Sequence, residues 1–236
     1  MNLILLDDAD FRARDRAVLG GRRLAHVREV HRAAVGDLLR VGRIGGGIGE
    51  GRIVRIDAES LELEVRLEAE PPPPSPVDLV VALPRPPSLR KVLQQATAMG
   101  VKRFWFIASR RVEKSFWQSH ALRPDALHQQ LVLGLEQARD TVLPEIGFHR
   151  RFRAFVEDEL PARLECAPGL LAEPGSPNPC PLGTARPRTL IVGPEGGFIP
   201  FELELLRAQG VDEIGLGPRV LRVETAVVAL LARLAA

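Results

Sequence analysis

Apolar and charged residues alternate without a break along Leu61-Glu62-Leu63-Glu64-Val65-Arg66-Leu67. A period of two puts every second side chain on the same face, which predicts a half-buried strand. Residues 38–41 and 51–56 form shorter apolar runs of the same kind, with Gly45-Gly46-Gly47 as a turn between them. Several short strands in roughly 70 residues predict a small β-barrel. Past PPPPSP, residues 71–76, the pattern changes. Residues 77–83 read as a buried strand, and 88–99 as a helix capped by Ser88 and stopped by Gly100. Residues 101–108 read as a strand and 124–141 as a longer helix. Further strands fall at 190–192 and 213–216, with a helix at 201–209 between them and an apolar helix at 223–234. Strands alternating with helices predict an α/β domain with a mainly parallel sheet. Residues 166–188 carry six prolines and read as a long loop, functional or disordered.

Four consecutive prolines favour a stiff polyproline II segment, so the chain divides there. The expected organisation is a first domain at 1–70, a linker at 71–76 and a second domain at 77–236. With 236 residues, 45% hydrophobic and 26% charged, the composition is that of a globular protein able to bury its own core. The two cysteines, Cys166 and Cys180, form no CxxC pair, which argues against a disulfide framework or a structural zinc site. No apolar run reaches about 18 residues and the start lacks a basic signal-peptide region, so the expected location is cytoplasmic, without a membrane partner. Cations are unevenly placed. Twenty-nine of the 32 are arginines, and residues 11–55 hold eleven of them against Asp15, Glu29, Asp37 and Glu50. Clustered guanidinium groups suit a phosphate backbone, with a solvated basic face as the alternative. Arg22, Arg23, Arg32 and Arg40 are the candidate RNA contacts.

Two strand ends break into glycine: Leu190-Ile191-Val192-Gly193-Pro194-Glu195-Gly196-Gly197 and Leu216-Gly217-Pro218-Arg219-Val220-Leu221-Arg222-Val223-Glu224-Thr225. Neither carries the Lys-Ser/Thr of a P-loop or the spacing of a dinucleotide fingerprint. In open α/β sheets, ligands sit beyond the carboxyl ends of strands, where backbone unshielded by side chains can read an adenine edge. Val192, Leu216 and Leu221 are placed to sandwich a ring. These residues point to a nucleoside-like ligand.

The pair GPEGGF and LGPRVLRVETA resembles the signature of the SPOUT methyltransferases, and more narrowly of the 16S ribosomal RNA uridine-N3 methyltransferases, the ribosomal RNA small-subunit methyltransferase E family. The likeness runs nearly end to end. HVREVHRAAVGD matches the family's N-terminal pattern at His26, Val30, Arg32, Gly36 and Asp37, and LQQATAMGV and EQARDTVLPEI match two further segments. The sequence departs from the family at Gln95, Ala98, Ala138, Asp140 and Val223. The resemblance implies a PUA-like β-barrel followed by a trefoil-knotted α/β domain, a homodimer, and S-adenosylmethionine as cofactor. It also implies a 16S ribosomal RNA or small-subunit substrate. By the same likeness, the cofactor lies among three loops: Leu171 and Ala172; Val192, Gly193, Glu195, Gly196 and Gly197; and Leu216, Gly217, Leu221 and Thr225.

Methylation of uridine N3 requires that nitrogen to lose its proton, so the protein must supply orientation and a proton acceptor. Glu224 is the candidate base and Arg222 the candidate stabiliser of the uridine anion, while Glu224-Thr225 reads equally well as a helix cap. Arg139 is a further catalytic candidate, reaching the site across a dimer. Glu195 has a structural alternative in closing its own turn, and Phe104-Trp105-Phe106 reads as strand core. His26 and His31 lack carboxylate companions, so no metal is expected. The competing function is a non-catalytic RNA-binding protein whose knotted domain only dimerises.

Overall fold

A computed structural model describes residues 3–184 and 186–235; the side chains of Val30 and His31, and with them half of the histidine pair weighed above, lie outside the described residues. The chain forms two units, Met1–Pro73 with Leu135–Leu143, and Pro74–Gly134 with Pro144–Ala236.

The first unit contains β1 (Ile4–Leu6), β2 (Phe11–Ala13), β3 (Arg16–Leu19), α1 (Gly21–His26) running into a wider turn at Val27–His31, β4 (Leu38–Arg43), β5 (Ile48–Ile56) and β6 (Leu61–Ala69). They form one six-stranded sheet in the order β1-β4-β5-β6-β3-β2, curled as in a PUA-like domain. Only β1 and β4 run parallel. The alternation along β6 is realised: Leu61, Leu63 and Val65 are buried while Glu64 and Arg66 are exposed. Their inner face meets Leu6, Leu19, Leu39, Val41 and Ile53. Each such side chain contributes about 1.5–3 kcal/mol by leaving water. On the outer face, partners across the strands alternate in sign, as in Arg16↔Glu64↔Arg52 and Arg40↔Glu50↔Arg66. Opposite charges facing each other add roughly 0.2–1 kcal/mol per pair and break up the arginine excess of this face.

Leu135–Leu143, which the sequence pattern assigns to the second domain, groups with this first unit. Leu3 N–H donates to the Glu136 carbonyl at 3.0 Å, Gly45 N–H to Thr141 at 2.8 Å, and the Thr141 hydroxyl to Gly46 at 2.5 Å. Contacts so far apart in sequence leave no trace in local periodicity.

The second unit contains β7 (Val77–Ala82), α2 (Pro86–Ala98), β8 (Arg103–Ile107), most of α3 (Pro124–Ala138), β9 (Glu145–His149), α4 (Phe152–Ala154), a wide turn at Phe155–Glu159, α5 (Leu160–Cys166), β10 (Gly169–Ala172), β11 (Arg188–Val192), α6 (Pro200–Ala208), β12 (Asp212–Ile214) and α7 (Val223–Leu234). The sheet order is β12-β10-β11-β7-β8-β9, and every neighbouring pair is parallel. Such strands are covered on both faces, which accounts for the continuous apolar runs of β7 and β11. Phe104 and Phe106 are fully buried with rings 6.3 Å apart, and Trp105 lies under the Arg163 guanidinium, so this triplet is core.

Three expectations change. The Pro-rich stretch 166–188 is not all loop: β10 lies inside it, hydrogen-bonded on both sides. Four residues bounded by prolines are too short to display a period. Ser88 does not cap α2, which starts earlier with Arg85 at the cap and prolines in its first turn; fixed φ and a missing N–H suit that position. And α3 ends at Ala138, because Arg139 adopts a left-handed backbone, φ 57°. Among the described residues, no helix is long and apolar enough to cross a membrane.

Candidate active site

The parallel register places Ala172 beside both Val192 and Ile214. These are the last residues of β10, β11 and β12, so three loops leave the sheet side by side from its carboxyl edge. Between them lies a cleft that opens to solvent at its mouth. Its walls mix exposed backbone with apolar side chains from the three loops and from one face of α7, namely Val223, Ala226 and Leu230.

Of the cofactor candidates, Ala172, Val192, Gly193, Glu195, Gly197, Leu216, Gly217 and Leu221 line this cleft. Leu171 does not; it is fully buried in the core beneath. Gly196 turns instead toward Arg111, whose guanidinium donates to its carbonyl. Thr225 is exposed and off the cleft, its neighbour Ala226 taking the lining position. Gly217 has φ +97° and open space where a side chain would start. A left-handed backbone at the cleft wall excludes most residues and leaves room for a ligand at once. Sequence reasoning missed Glu173, Pro174, Ile214, Gly215 and the α7 face; the first two follow directly on β10, which the sequence pattern did not show.

The start of α2 braces two of the three loops. Arg85 N–H donates to the Glu195 carboxylate at 3.2 Å, and its guanidinium reaches the Ser88 hydroxyl at 3.3 Å. Ser88 in turn hydrogen-bonds Glu224, and Lys91 Nζ lies 3.3 Å from Glu224 Oε1. Glu224 is 6% exposed at the first turn of α7. Burial pushes its carboxyl up, but its own backbone N–H, Ser88 and Lys91 together hold it below the ordinary carboxylate range. It is therefore ionised, occupied by donors and absent from the cleft wall. Arg222 is the exposed cap residue of α7, one position after the lining residue Leu221. Arg139 is exposed and belongs to the segment that groups with the first unit.

On the first unit, two of the four candidate RNA contacts are already engaged. Arg22 makes a bidentate pair with Glu136 at 3.1 Å, and Arg23 grips Asp10 at 2.5 and 2.6 Å as well as the Leu5 carbonyl. Arg32 and Arg40 are exposed and make no ion pair among the described residues. Arg28, passed over in the sequence, is exposed alongside Arg32 at a groove closed by Asp57 and Ala58. No group of three or more potential metal ligands occurs among the described residues.

Residues 71–235 match the family described as RNA methyltransferase domain. The ribosomal RNA small subunit methyltransferase E of Treponema pallidum is 28% identical, the match taking in 97% of this chain and 88% of that protein. Its counterpart in Synechocystis is 26% identical over 89% and 70%. Among solved structures, the ribosomal RNA small subunit methyltransferase E of Neisseria gonorrhoeae bound to S-adenosyl methionine superposes with a TM-score of 0.76 at 19% identity, over 98% of this chain and 95% of that one. At that identity the likeness shows a shared fold. With a matched segment that spans most of its length, the chain belongs to the RNA methyltransferase domain family.

Proposed function

We propose that this chain transfers a methyl group from S-adenosylmethionine to N3 of a uridine in 16S ribosomal RNA. The observation that carries the reading is the cleft at the aligned tips of β10, β11 and β12. Its fit to the cofactor rests on chemistry. Backbone groups at Gly193, Gly215 and Gly217 are free of side chains and suit the edge of adenine, and Val192, Leu216, Leu221 and the α7 face suit its rings. When bound there, S-adenosylmethionine supplies an electrophilic methyl group.

The chain's own residues then have to hold the acceptor and favour its anion. Arg222, exposed beside the cleft, is suited to stabilise negative charge as it develops on the uridine. Glu224 is better read as a positioning residue than as the base, since its lone pairs are engaged by Ser88, Lys91 and backbone. The N3 proton leaves to solvent in this reading. The first unit serves as the RNA-docking element through Arg32, Arg40 and Arg28 rather than Arg22 and Arg23. A homodimer, with Arg139 serving the partner's site, completes the proposal; exposed Val220 and Leu182, at 78% and 73%, are apolar surface a second copy would cover.

The test is incubation of small subunits and of free ribosomal RNA with the protein and labelled cofactor, followed by mapping of modified positions. A single 3-methyluridine in 16S ribosomal RNA is expected. Label on another atom, or on none while the cofactor binds, overturns the assignment. Light scattering of the purified chain checks the dimer.

A further inference from the structure

Glu173 is the first residue beyond β10 and lines the cleft. Its backbone is held on both sides, its N–H donating to the Ile214 carbonyl at 2.9 Å and its carbonyl accepting from Ser176 at 3.2 Å. The following turn lies against Gly215, where an added Cβ would stand 2.9 Å from the Ser176 oxygen. The side chain thus starts from a fixed point on the wall. Its carboxylate accepts no hydrogen bond from any described residue, whereas the other carboxylates at this edge are engaged: Glu195 by Arg85, Glu202 by Ile199, Arg110 and Ser109, Glu224 by Ser88 and Lys91.

The charges around it do not balance. Glu213 stands near, and the Arg207 that serves this corner is already paired with Glu213 at 2.6 Å. Two carboxylates share one guanidinium. Burial, with Glu213 adding to it, pushes the Glu173 carboxyl up from its ordinary range, as happens when a partly desolvated acid lacks a counter-charge. Arg219 also lines the cleft, but no ion pair joins it to Glu173 among the described residues, and a carboxylate without its own counter-charge favours a cationic ligand group where water is partly excluded.

We propose that Glu173 is a specificity-determining residue that recognises a cationic group of the cofactor, either its sulfonium or its α-ammonium. The inference rests on the reading that this cleft binds S-adenosylmethionine. It adds a selection by charge: if the sulfonium is the group recognised, methyl transfer removes that charge and weakens the hold on the product.

Titration calorimetry with native protein and Glu173→Gln separates the possibilities, because three related ligands lose the charges stepwise. S-adenosylmethionine carries both cations, S-adenosylhomocysteine only the ammonium, and 5′-methylthioadenosine neither. Glu173→Gln should weaken S-adenosylmethionine by about 10- to 100-fold, as for loss of a close pairing of opposite charges, and leave 5′-methylthioadenosine unchanged. Unchanged 5′-methylthioadenosine binding also certifies that the variant is folded. Loss confined to S-adenosylmethionine assigns the sulfonium; equal loss for S-adenosylhomocysteine assigns the ammonium. Equal loss for all three, or no loss, overturns the proposal while the cofactor reading stands. Failure of native protein to bind any of the three overturns the cofactor reading, and this inference with it.

Discussion

Replacing Glu224 by Gln keeps the shape of the side chain and removes its charge, which makes it a sharp test of what holds the last helix. The carboxylate is buried and receives its own backbone N–H, the Ser88 hydroxyl and Lys91. A hydrogen bond to a charged group contributes about 1.5–3 kcal/mol against about 0.5–1.5 for a neutral one. The Lys91 arm is discounted, because that side chain is 54% exposed and such pairs contribute under about 1 kcal/mol. Two buried bonds weakened by roughly 1 kcal/mol each leave a loss of about 2 kcal/mol, or roughly 4–8 °C in melting temperature for a chain of this size. The loss should depend on pH. Since the folded carboxyl lies below its ordinary value of 4.5, its stabilisation is fully present above that pH and disappears as pH falls through the folded value. Native protein and variant should therefore differ most at neutral pH and converge in acid. Thermal unfolding by circular dichroism across that range, with single-turnover methylation measured in parallel, gives both halves. Equal melting temperatures at pH 7 would refute the bracing argument. A lost rate at unchanged stability would return Glu224 to the role of base.

Three other outcomes are expected. Gly217→Val places a β-branched residue at φ +97° and fills the cleft wall, so cofactor binding should vanish with the circular dichroism spectrum retained; unchanged affinity would remove this cleft as the cofactor site. Arg222→Ala should lower the single-turnover rate by about 10²–10³ with little change in cofactor affinity, as for loss of one oriented donor; a fall in affinity alone would reassign it. Arg32→Ala and Arg40→Ala should weaken RNA binding and flatten its salt dependence, each lost phosphate contact reducing the slope by about 0.9 on duplex or about 0.7 on single strands. By contrast, Arg22→Ala should chiefly lower stability, since it strands Glu136; salt-titrated RNA binding alongside melting curves tells the two kinds of arginine apart.

What could be read from the sequence follows a physical line. The strand at Leu61–Ala69 announced itself because one of its faces is wet, and β7 and β11 because both of theirs are dry. The two glycine-rich loops were visible because bulky residues cannot occupy their positions. β10 was hidden by its length, and with it Glu173 and Pro174 of the cleft lining. The ties of Arg22 to Glu136 and of Lys91 to Glu224 span 114 and 133 positions, so nothing in the neighbourhood of either arginine or lysine distinguishes them from solvated charges.

The register of β10 also bears on how the chain reaches its native state. That short strand must slot between β11 and β12, both of which follow it in the chain, and α7 must return to α2 across 133 positions before Glu224 meets Lys91. Each pairing closes a long loop before any contact rewards it, the situation in which folding slows and ordering comes late. No local piece of the molecule contains the cleft. Until the last strand has docked, the apolar edge of β10 stands open to neighbouring chains, so the segment that ends as a binding wall is first a hazard for aggregation. A ligand that binds only the finished cleft draws the population out of those unfinished states by mass action.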